Sequence, residues 1–199
     1  MALPDADDLK SYLRIQTTAE DTLLAALVTA ATGAVQAFVR RPLLAEARTF
    51  VIEKPARALY GTVTMLHLPI YPVAAEDSNT AAAEITDSDG TILVEGTDYR
   101  IDLRTGEIFG LSASAEFPYG NWPYTITASV GLSALDEYAT AIEPVLFQAI
   151  LDVAADLYQR RNPAAGSEST GGGVSTSYSG GLPPRVQDLL MPYRMVRAL

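Results

Sequence analysis

Residues 143–161 carry the one-sided hydrophobic pattern of an amphipathic helix. Apolar side chains recur there at every third or fourth position, and polar side chains occupy the opposite face. Pro144 suits the first helical turn, where a missing N–H is harmless. Arg160 and Arg161 suit the C-terminal end, where the helix dipole favours cations. The pattern therefore predicts a core helix over residues 143–161.

A second, longer helical pattern covers about residues 19–40. Its leucine, valine, alanine and phenylalanine side chains form an apolar face, and Pro42 stops it. Thr18 and Asp21 have the spacing of a capping box at its start, although Asp replaces the preferred Glu or Gln. A short helix over about residues 5–13 precedes it. Because the long pattern contains threonine and glutamine, we expect a core helix rather than a membrane span.

Between the two long helices the chain changes to short runs rich in valine and threonine. The runs at residues 49–53, 62–68 and 124–130 predict strands, and residues 84–94 and 99–109 predict two hairpins that turn at glycines. Together they give six or seven short antiparallel strands. The predicted fold class is α+β: an α-helical core of two long helices plus short helices, an antiparallel β-rich insertion and a flexible C-terminal tail.

The C-terminal part of the chain changes composition twice. Residues 162–181 are rich in glycine and serine, which predicts a flexible linker. Residues 182–199 regain apolar side chains, with a short helix that starts at Pro183-Pro184 and ends before Pro192. Arginines alternate with the apolar side chains at this end, so we expect it to dock on a partner.

These patterns divide the chain into five parts. They are the N-terminal helical part of the core (residues 1–44), the β-rich insertion (45–134), the C-terminal core helix (135–161), the linker (162–181) and the partner-docking tail (182–199).

Composition and charge narrow the possible functions. Hydrophobic residues make up 48% of the 199 residues, which is enough for a sizeable core. The chain has no cysteine, which excludes disulfides and thiolate chemistry. Residues 46–143 hold five basic and fifteen acidic residues, a balance of −10 that equals the net charge of the whole chain. Such a region repels the phosphates of nucleic acid. It is either an ordinary solvated surface or a surface past which DNA moves without sticking.

The candidate catalytic and metal-binding residues form no recognisable site. His67 is the only histidine and lies in an apolar run without partners for a triad or a metal. The run from Asp87 to Gly90 resembles the start of a calcium loop but lacks the later ligands, which favours a turn. Asp98 and Asp102 fall on one side of a strand and could pair, but a solvent-facing role is favoured. We therefore predict no enzyme activity, no cofactor and no metal.

The order of several short motifs resembles a known family. The motifs are FVRRPL (residues 38–43), LHLPIYPV (66–73), DSDGT (87–91), DYRIDLRTGEI (98–108), NWPYTITASVG (121–131) and AILDVAADLYQRRNP (149–163). In this order they resemble the head–tail connector, or adaptor, proteins of tailed bacteriophages and gene transfer agents. The resemblance covers about residues 5–163, and it is greatest to the longer members, which carry a β-rich insertion in an α-helical core.

The resemblance implies a structural protein of the virion, made in the bacterial cytoplasm. Such connectors form a ring, commonly of twelve copies, beneath the portal protein at the neck of the particle. A stopper or tail-terminator protein lies below the ring, and DNA passes through the lumen without sequence-specific binding. No membrane is involved.

The resemblance also implies roles for particular residues. The tail would dock on the portal, with candidate anchors Arg185, Leu189, Tyr193, Arg194, Met195, Arg197 and Leu199. Outward-facing residues of the two long helices would contact neighbouring copies in the ring. The candidates for these contacts are Leu23, Leu27, Phe38, Leu146, Ile150 and Leu157.

One alternative belongs to a different class of protein. Trp122, Tyr119 and Tyr124 lie close together in sequence and could stack on a sugar. The chain would then be a soluble binding module whose β-rich insertion holds a carbohydrate or other small ligand. The competing interpretation of these aromatic residues is that they cover the core.

Overall fold

A computed structural model of the protein describes residues 2–53, 63–74, 82–111, 117, 121–161 and 182–195, without the side chains of residues 136–138. The chain divides into two compact units, which are described separately. Met1–Arg40 and Thr140–Leu199 form the helical unit, and Arg41–Ala139 form the β unit.

Four α-helices are present in the described ranges. They are α1 (Ala6–Leu13), α2 (Asp21–Val39), α3 (Asp136–Arg160) and α4 (Pro184–Leu190), and a 3-10 turn (Met191–Tyr193) follows α4. The predicted helices over residues 5–13 and 19–40 are confirmed to within two residues at each end.

The capping box lies at a different helix from the one predicted. Asp5 caps α1, its carboxylate accepting the amides of Asp7 and Asp8, while the Asp8 side chain accepts the Asp5 amide. The predicted box at Thr18 and Asp21 is wrong, because α2 has Glu20 at its N-cap and no side-chain cap. Asp21 there donates its amide to the backbone carbonyl of Thr18.

The helix predicted over residues 143–161 starts earlier than expected. α3 begins at Asp136, so Pro144 lies inside the helix rather than in its first turn. A proline inside a helix removes one backbone hydrogen bond to the residue four positions before it. The residues before Pro144 nevertheless continue the helix, and Ile142 is fully buried. The predicted start at Glu143 was therefore wrong.

In the helical unit, α2 buries one stripe of apolar side chains. The fully or nearly fully buried positions of α2 are Leu24, Val28, Ala31, Val35 and Val39, spaced at three or four residues. α1 packs on α2 and contributes the buried Leu9. By length and composition α2 could cross a membrane, but it packs against α1 and α4 in this unit, as predicted for a core helix.

The β unit contains two antiparallel sheets. The strands are β1 (Glu46–Ile52), β2 (Met65–His67), β3 (Ala83–Thr86), β4 (Ile92–Leu93), β5 (Tyr99–Asp102), β6 (Glu107–Gly110) and β7 (Tyr124–Val130). One sheet has the order β1-β7-β3-β4 and the other the order β2-β6-β5. The prediction of six or seven short antiparallel strands is confirmed for the described residues.

The core of the β unit draws alternate residues from both sheets. From the four-stranded sheet come Ile85, Tyr124, Ile126 and other inward-facing residues, and from the three-stranded sheet come Leu66 and Ile108. This alternation follows from the two-residue period of a strand, which sends successive side chains to opposite faces. The other face of the four-stranded sheet is outside this core.

Candidate assembly surfaces

The C-terminal segment packs on the helical unit of its own chain. α4 buries Val186 and Leu190 and contacts α2. Proline at the start of α4 removes an amide that would lack a helical partner, and Gln187 donates to the carbonyl of Leu182 (2.6 Å). These contacts hold a helix of seven residues, which is too short to be stable alone in water.

Two further contacts fix the chain after α4 to the end of α2. Val39 is the last residue of α2, and Arg40 adopts the left-handed conformation (φ 61°) that ends the helix. The carbonyls of a last helical turn have no partner within the helix. Met195 donates its amide to the Val39 carbonyl (2.9 Å), and the Arg194 guanidinium lies 5.0 Å from the centre of the Phe38 ring.

The predicted portal anchors therefore fall into three groups. Arg185 is exposed, whereas Leu189, Tyr193, Arg194 and Met195 are half-buried. Arg197 and Leu199 lie outside the described residues. Sequence reasoning missed one candidate, Met191, which is 52% exposed on the segment. Its apolar side chain directly follows the sequence pattern that predicts α4, and this position could have identified it as a candidate anchor.

A polar cluster joins the start of α2 to the end of α3. The Tyr158 hydroxyl donates to one carboxylate oxygen of Glu20 (2.6 Å), and Arg161 donates to the other (2.7 Å). The Arg161 guanidinium also lies over the Tyr158 ring (4.7 Å). The hydrogen bond from Tyr158, and after it the one from Arg161, lower the pKa of the Glu20 carboxyl. This cluster fixes Arg161, and the predicted linker that follows (residues 162–181) lies outside the described residues.

A second polar cluster joins α1 to α3. Asp152 accepts hydrogen bonds from the Tyr12 hydroxyl (2.7 Å) and from Gln148 (2.7 Å). The bond to Asp152 raises the pKa of Tyr12, because it stabilises the protonated hydroxyl. The cluster is partly exposed and lies on the surface of the helical unit.

The predicted ring contacts are only partly accessible. Leu146 and Ile150 are fully buried in their own helical unit. Their assignment as contacts with a neighbouring copy stays a prediction, and it would require these side chains to become exposed. They lie on the buried side of α3. The sequence pattern did not distinguish these buried apolar positions from exposed ones. Leu23, Leu27, Phe38 and Leu157 are half-buried and remain candidates. The exposed face of α2 consists mainly of small residues, namely Ala25, Ala26, Thr29, Ala30, Gly33 and Ala37.

Part of the acidity of the β unit serves its turns. The Asp87 carboxylate accepts the amides of Asp89 (2.9 Å) and Thr91 (2.8 Å) and the side-chain amide of Asn121 (2.7 Å). Asp87 is nearly buried, and the amide of Thr91, above all, lowers its pKa because it binds the charged form. The DSDG run is therefore a turn, as predicted, with Gly90 at φ 82°.

Three more carboxylates of the β unit also accept backbone amides. Asp98 accepts the amide of Val94 (2.8 Å), Asp102 that of Arg104 (2.9 Å), and Glu95 that of Ala82 (3.0 Å). Asp98 and Asp102 thus each organise a separate turn. Among the described residues, no group of three His, Asp or Glu side chains is placed to hold a metal.

The aromatic residues of the alternative hypothesis pack against the core. Tyr124 is fully buried, and its burial raises its pKa to about 12. The rings of Trp122 and Phe117 meet it edge-on, with centroids at 5.0 and 5.5 Å. Tyr119 lies outside the described residues. Tyr124 cannot stack on a sugar from this position, and no observation supports the ligand-binding alternative.

The described residues form a helical unit and a unit of two antiparallel sheets. Residues 5–89 match the family model of phage gp6-like head-tail connector proteins. This match spans α1, α2 and the first three strands, and it confirms the predicted resemblance to the head–tail connector family. No curated protein matches the chain.

Solved structures of gene transfer agent (GTA) particles contain chains with a similar fold. A chain in the neck of an empty GTA particle, computed with C6 symmetry, has a TM-score of 0.58 and 23% identity, covering 100% of this chain and 95% of that chain. A chain in the virion of a native GTA particle has a TM-score of 0.57 and 22% identity, with coverages of 100% and 95%. One in the neck of a native GTA particle, computed with C12 symmetry, has a TM-score of 0.55 and 23% identity, with coverages of 100% and 94%. At 22–23% identity these structures show a shared fold.

Proposed function

We propose that this chain is a structural head–tail connector in the neck of a tailed phage or phage-like particle. The observation that carries the proposal is the family match over residues 5–89, together with a fold shared along the whole chain with chains of GTA particles. The connector would join head to tail and have no enzymatic role. It would be made in the bacterial cytoplasm and incorporated into the particle.

The assembled form is proposed to be a ring of about twelve copies. The similar neck chains come from particles computed with C6 and C12 symmetry. In a closed ring each copy presents two different faces to its two neighbours. The small exposed residues of α2 permit close approach, and the half-buried Leu23, Leu27, Phe38 and Leu157 add apolar contact area.

DNA would pass through the ring without specific binding. The β unit, Arg41–Ala139, holds six basic and fourteen acidic residues, a net charge of −8 out of the −10 of the whole chain. Binding to nucleic acid depends on cations that replace the counterions of phosphate. A surface with this balance repels the phosphate backbone and so favours passage over adhesion.

The C-terminal segment is proposed to dock on the portal protein above the ring, and a stopper or tail-terminator protein would bind below. The exposed Arg185 and Met191 are available for portal contact while α4 stays on α2. The half-buried anchors, such as Tyr193 and Arg194, become available only if the segment leaves α2. Contact with the portal would thus begin at the exposed side of α4.

Binding to purified portal rings tests this proposal. The full chain and a variant ending at Gly181 are each mixed with portal rings and measured by sedimentation velocity and electron cryomicroscopy. We expect the full chain to add a ring of density beneath the portal and the truncated variant to bind much more weakly. A full chain that stays monomeric and ignores the portal would overturn the connector role. Equal binding of both chains would overturn only the docking of the tail.

A further inference from the structure

Residues 182–195 are held on the helical unit of their own chain at two places. The first is α4, which contacts α2 and whose buried side chains are Val186 and Leu190. The second lies after the 3-10 turn, where Arg194 and Met195 reach the end of α2. We call residues 182–195 the strap. The occupant of this side of α2 is therefore a segment of the same chain.

The second place uses groups that are committed to the strap's own chain. The Met195 amide donates to the Val39 carbonyl (2.9 Å), and a backbone amide has one hydrogen to donate. The Arg194 guanidinium lies 5.0 Å from the centre of the Phe38 ring. Both Arg194 and Met195 are half-buried in this arrangement. While these contacts persist, neither residue is fully available to another protein.

The same two residues are among the anchors proposed to dock on the portal. Docking through them therefore requires the strap to leave α2. We propose that the strap is an autoinhibitory contact: it is closed on α2 in the free subunit, and the chain docks fully on the portal only after the strap is released. The inference rests on the proposed portal docking and adds the means by which that docking is regulated.

Opening the strap has a cost that the free chain does not recover. Val186 and Leu190 return to water, which is unfavourable for apolar side chains. The Val39 carbonyl loses its partner at the end of α2, where the helix supplies none. α4 has seven residues and is not stable when detached. The free subunit therefore stays mainly closed, and its apparent affinity for the portal is the intrinsic affinity reduced by the fraction of open chains.

A reversible covalent lock tests the inference. The chain has no cysteine, so Val39→Cys/Met195→Cys places its only two thiols at the two ends of a backbone hydrogen bond. Residues joined in this way lie close enough for a disulfide. Portal binding is measured by sedimentation for the oxidised and reduced forms of the same protein, with portal rings in excess so that neighbouring copies rarely meet. We expect the oxidised form to bind at least about tenfold more weakly, and reduction to restore binding.

A second variant weakens the strap without changing any of its residues. Phe38→Ala removes the ring beneath Arg194. A contact of this kind changes an equilibrium constant by about two- to fivefold. Hydrogen exchange of the α4 amides should therefore rise by about that factor, and portal binding should tighten by the same factor. Leu23→Ala is the matched control: Leu23 is also half-buried on α2 but lies roughly 22 Å from Phe38 along the helix, so it should change neither quantity.

The outcomes separate the inference from the function on which it rests. Equal portal binding by the oxidised and reduced forms, with the disulfide verified by thiol titration, would overturn the inference. Unchanged α4 exchange in Phe38→Ala, or faster exchange without tighter binding, would overturn it as well, whether or not the disulfide forms. If wild type itself ignores the portal, the connector role fails. If the chain ending at Gly181 binds as well as wild type, the docking of the tail fails and the autoinhibition fails with it.

Discussion

The strongest test of the C-terminal packing is Leu190→Ala in α4. Leu190 is fully buried, and it and Val186 are the buried side chains of this helix. Replacing a buried leucine with alanine costs about 2–5 kcal/mol through lost burial and the cavity left behind. A helix of this length is not stable when detached. We therefore expect α4 to open locally while the rest of the helical unit stays folded.

Hydrogen exchange measures this opening directly. Since about 1.4 kcal/mol corresponds to a factor of ten, protection of the α4 amides should fall at least about thirtyfold, or to the unprotected rate. The α2 amides around Val28 should keep their protection. Leu189→Ala is the matched control, because Leu189 is only half-buried in the same helix, and it should have a much smaller effect. Unchanged protection of α4 in Leu190→Ala would refute its packing on α2.

Three further predictions concern caps, turns and glycines. Asp5→Ala should lower the free energy of unfolding by about 1 kcal/mol, as for other N-caps, whereas Thr18→Ala should have little effect; urea denaturation of both variants checks this. For Asp87, whose pKa is lowered by folding, wild type should be more stable than Asp87→Asn above about pH 5, and this advantage should disappear as the pH falls through about 4 and below. A pH-independent difference between the two proteins would contradict the role of the charge. Gly33→Ala should raise the melting temperature by removing a flexible residue from α2, where a Cβ meets nothing within 4 Å. Gly131→Ala should lower it, because φ is 152° and a Cβ there would overlap a backbone carbonyl.

The sequence predicted the kinds of elements well because their patterns are local. Alternation in β7 and the repeat in α2 each fix a buried face without reference to the rest of the chain. The position of the capping box was harder to predict, because Thr18 and Asp5 are each followed three residues later by an acidic residue. The structure distinguishes them: Asp5 has the extended backbone of an N-cap, while Glu20 takes the N-cap position of α2 and binds Tyr158 and Arg161.

The assembly surfaces were less predictable because they depend on which face of an element is covered. Leu146 and Ile150 look the same in the sequence pattern as apolar residues that point outward. The chain after α4 is held by Val39 and Phe38, which are more than 140 residues away along the chain. The faces of the four-stranded sheet depend on the register of its strands, which no single strand reveals.

The use of carboxylates in the turns of the β unit has an evolutionary consequence. Asp87, Asp98 and Asp102 accept backbone amides close to themselves in sequence, whereas Glu95 accepts one from Ala82, thirteen residues away. Selection on the folding of these loops would preserve short oxygen-bearing side chains at the three aspartates, even in a lineage whose overall charge drifts toward neutrality. Part of the acidity of this protein would then be inherited as a by-product of loop geometry, and surface carboxylates such as Glu84 would be the ones free to vary.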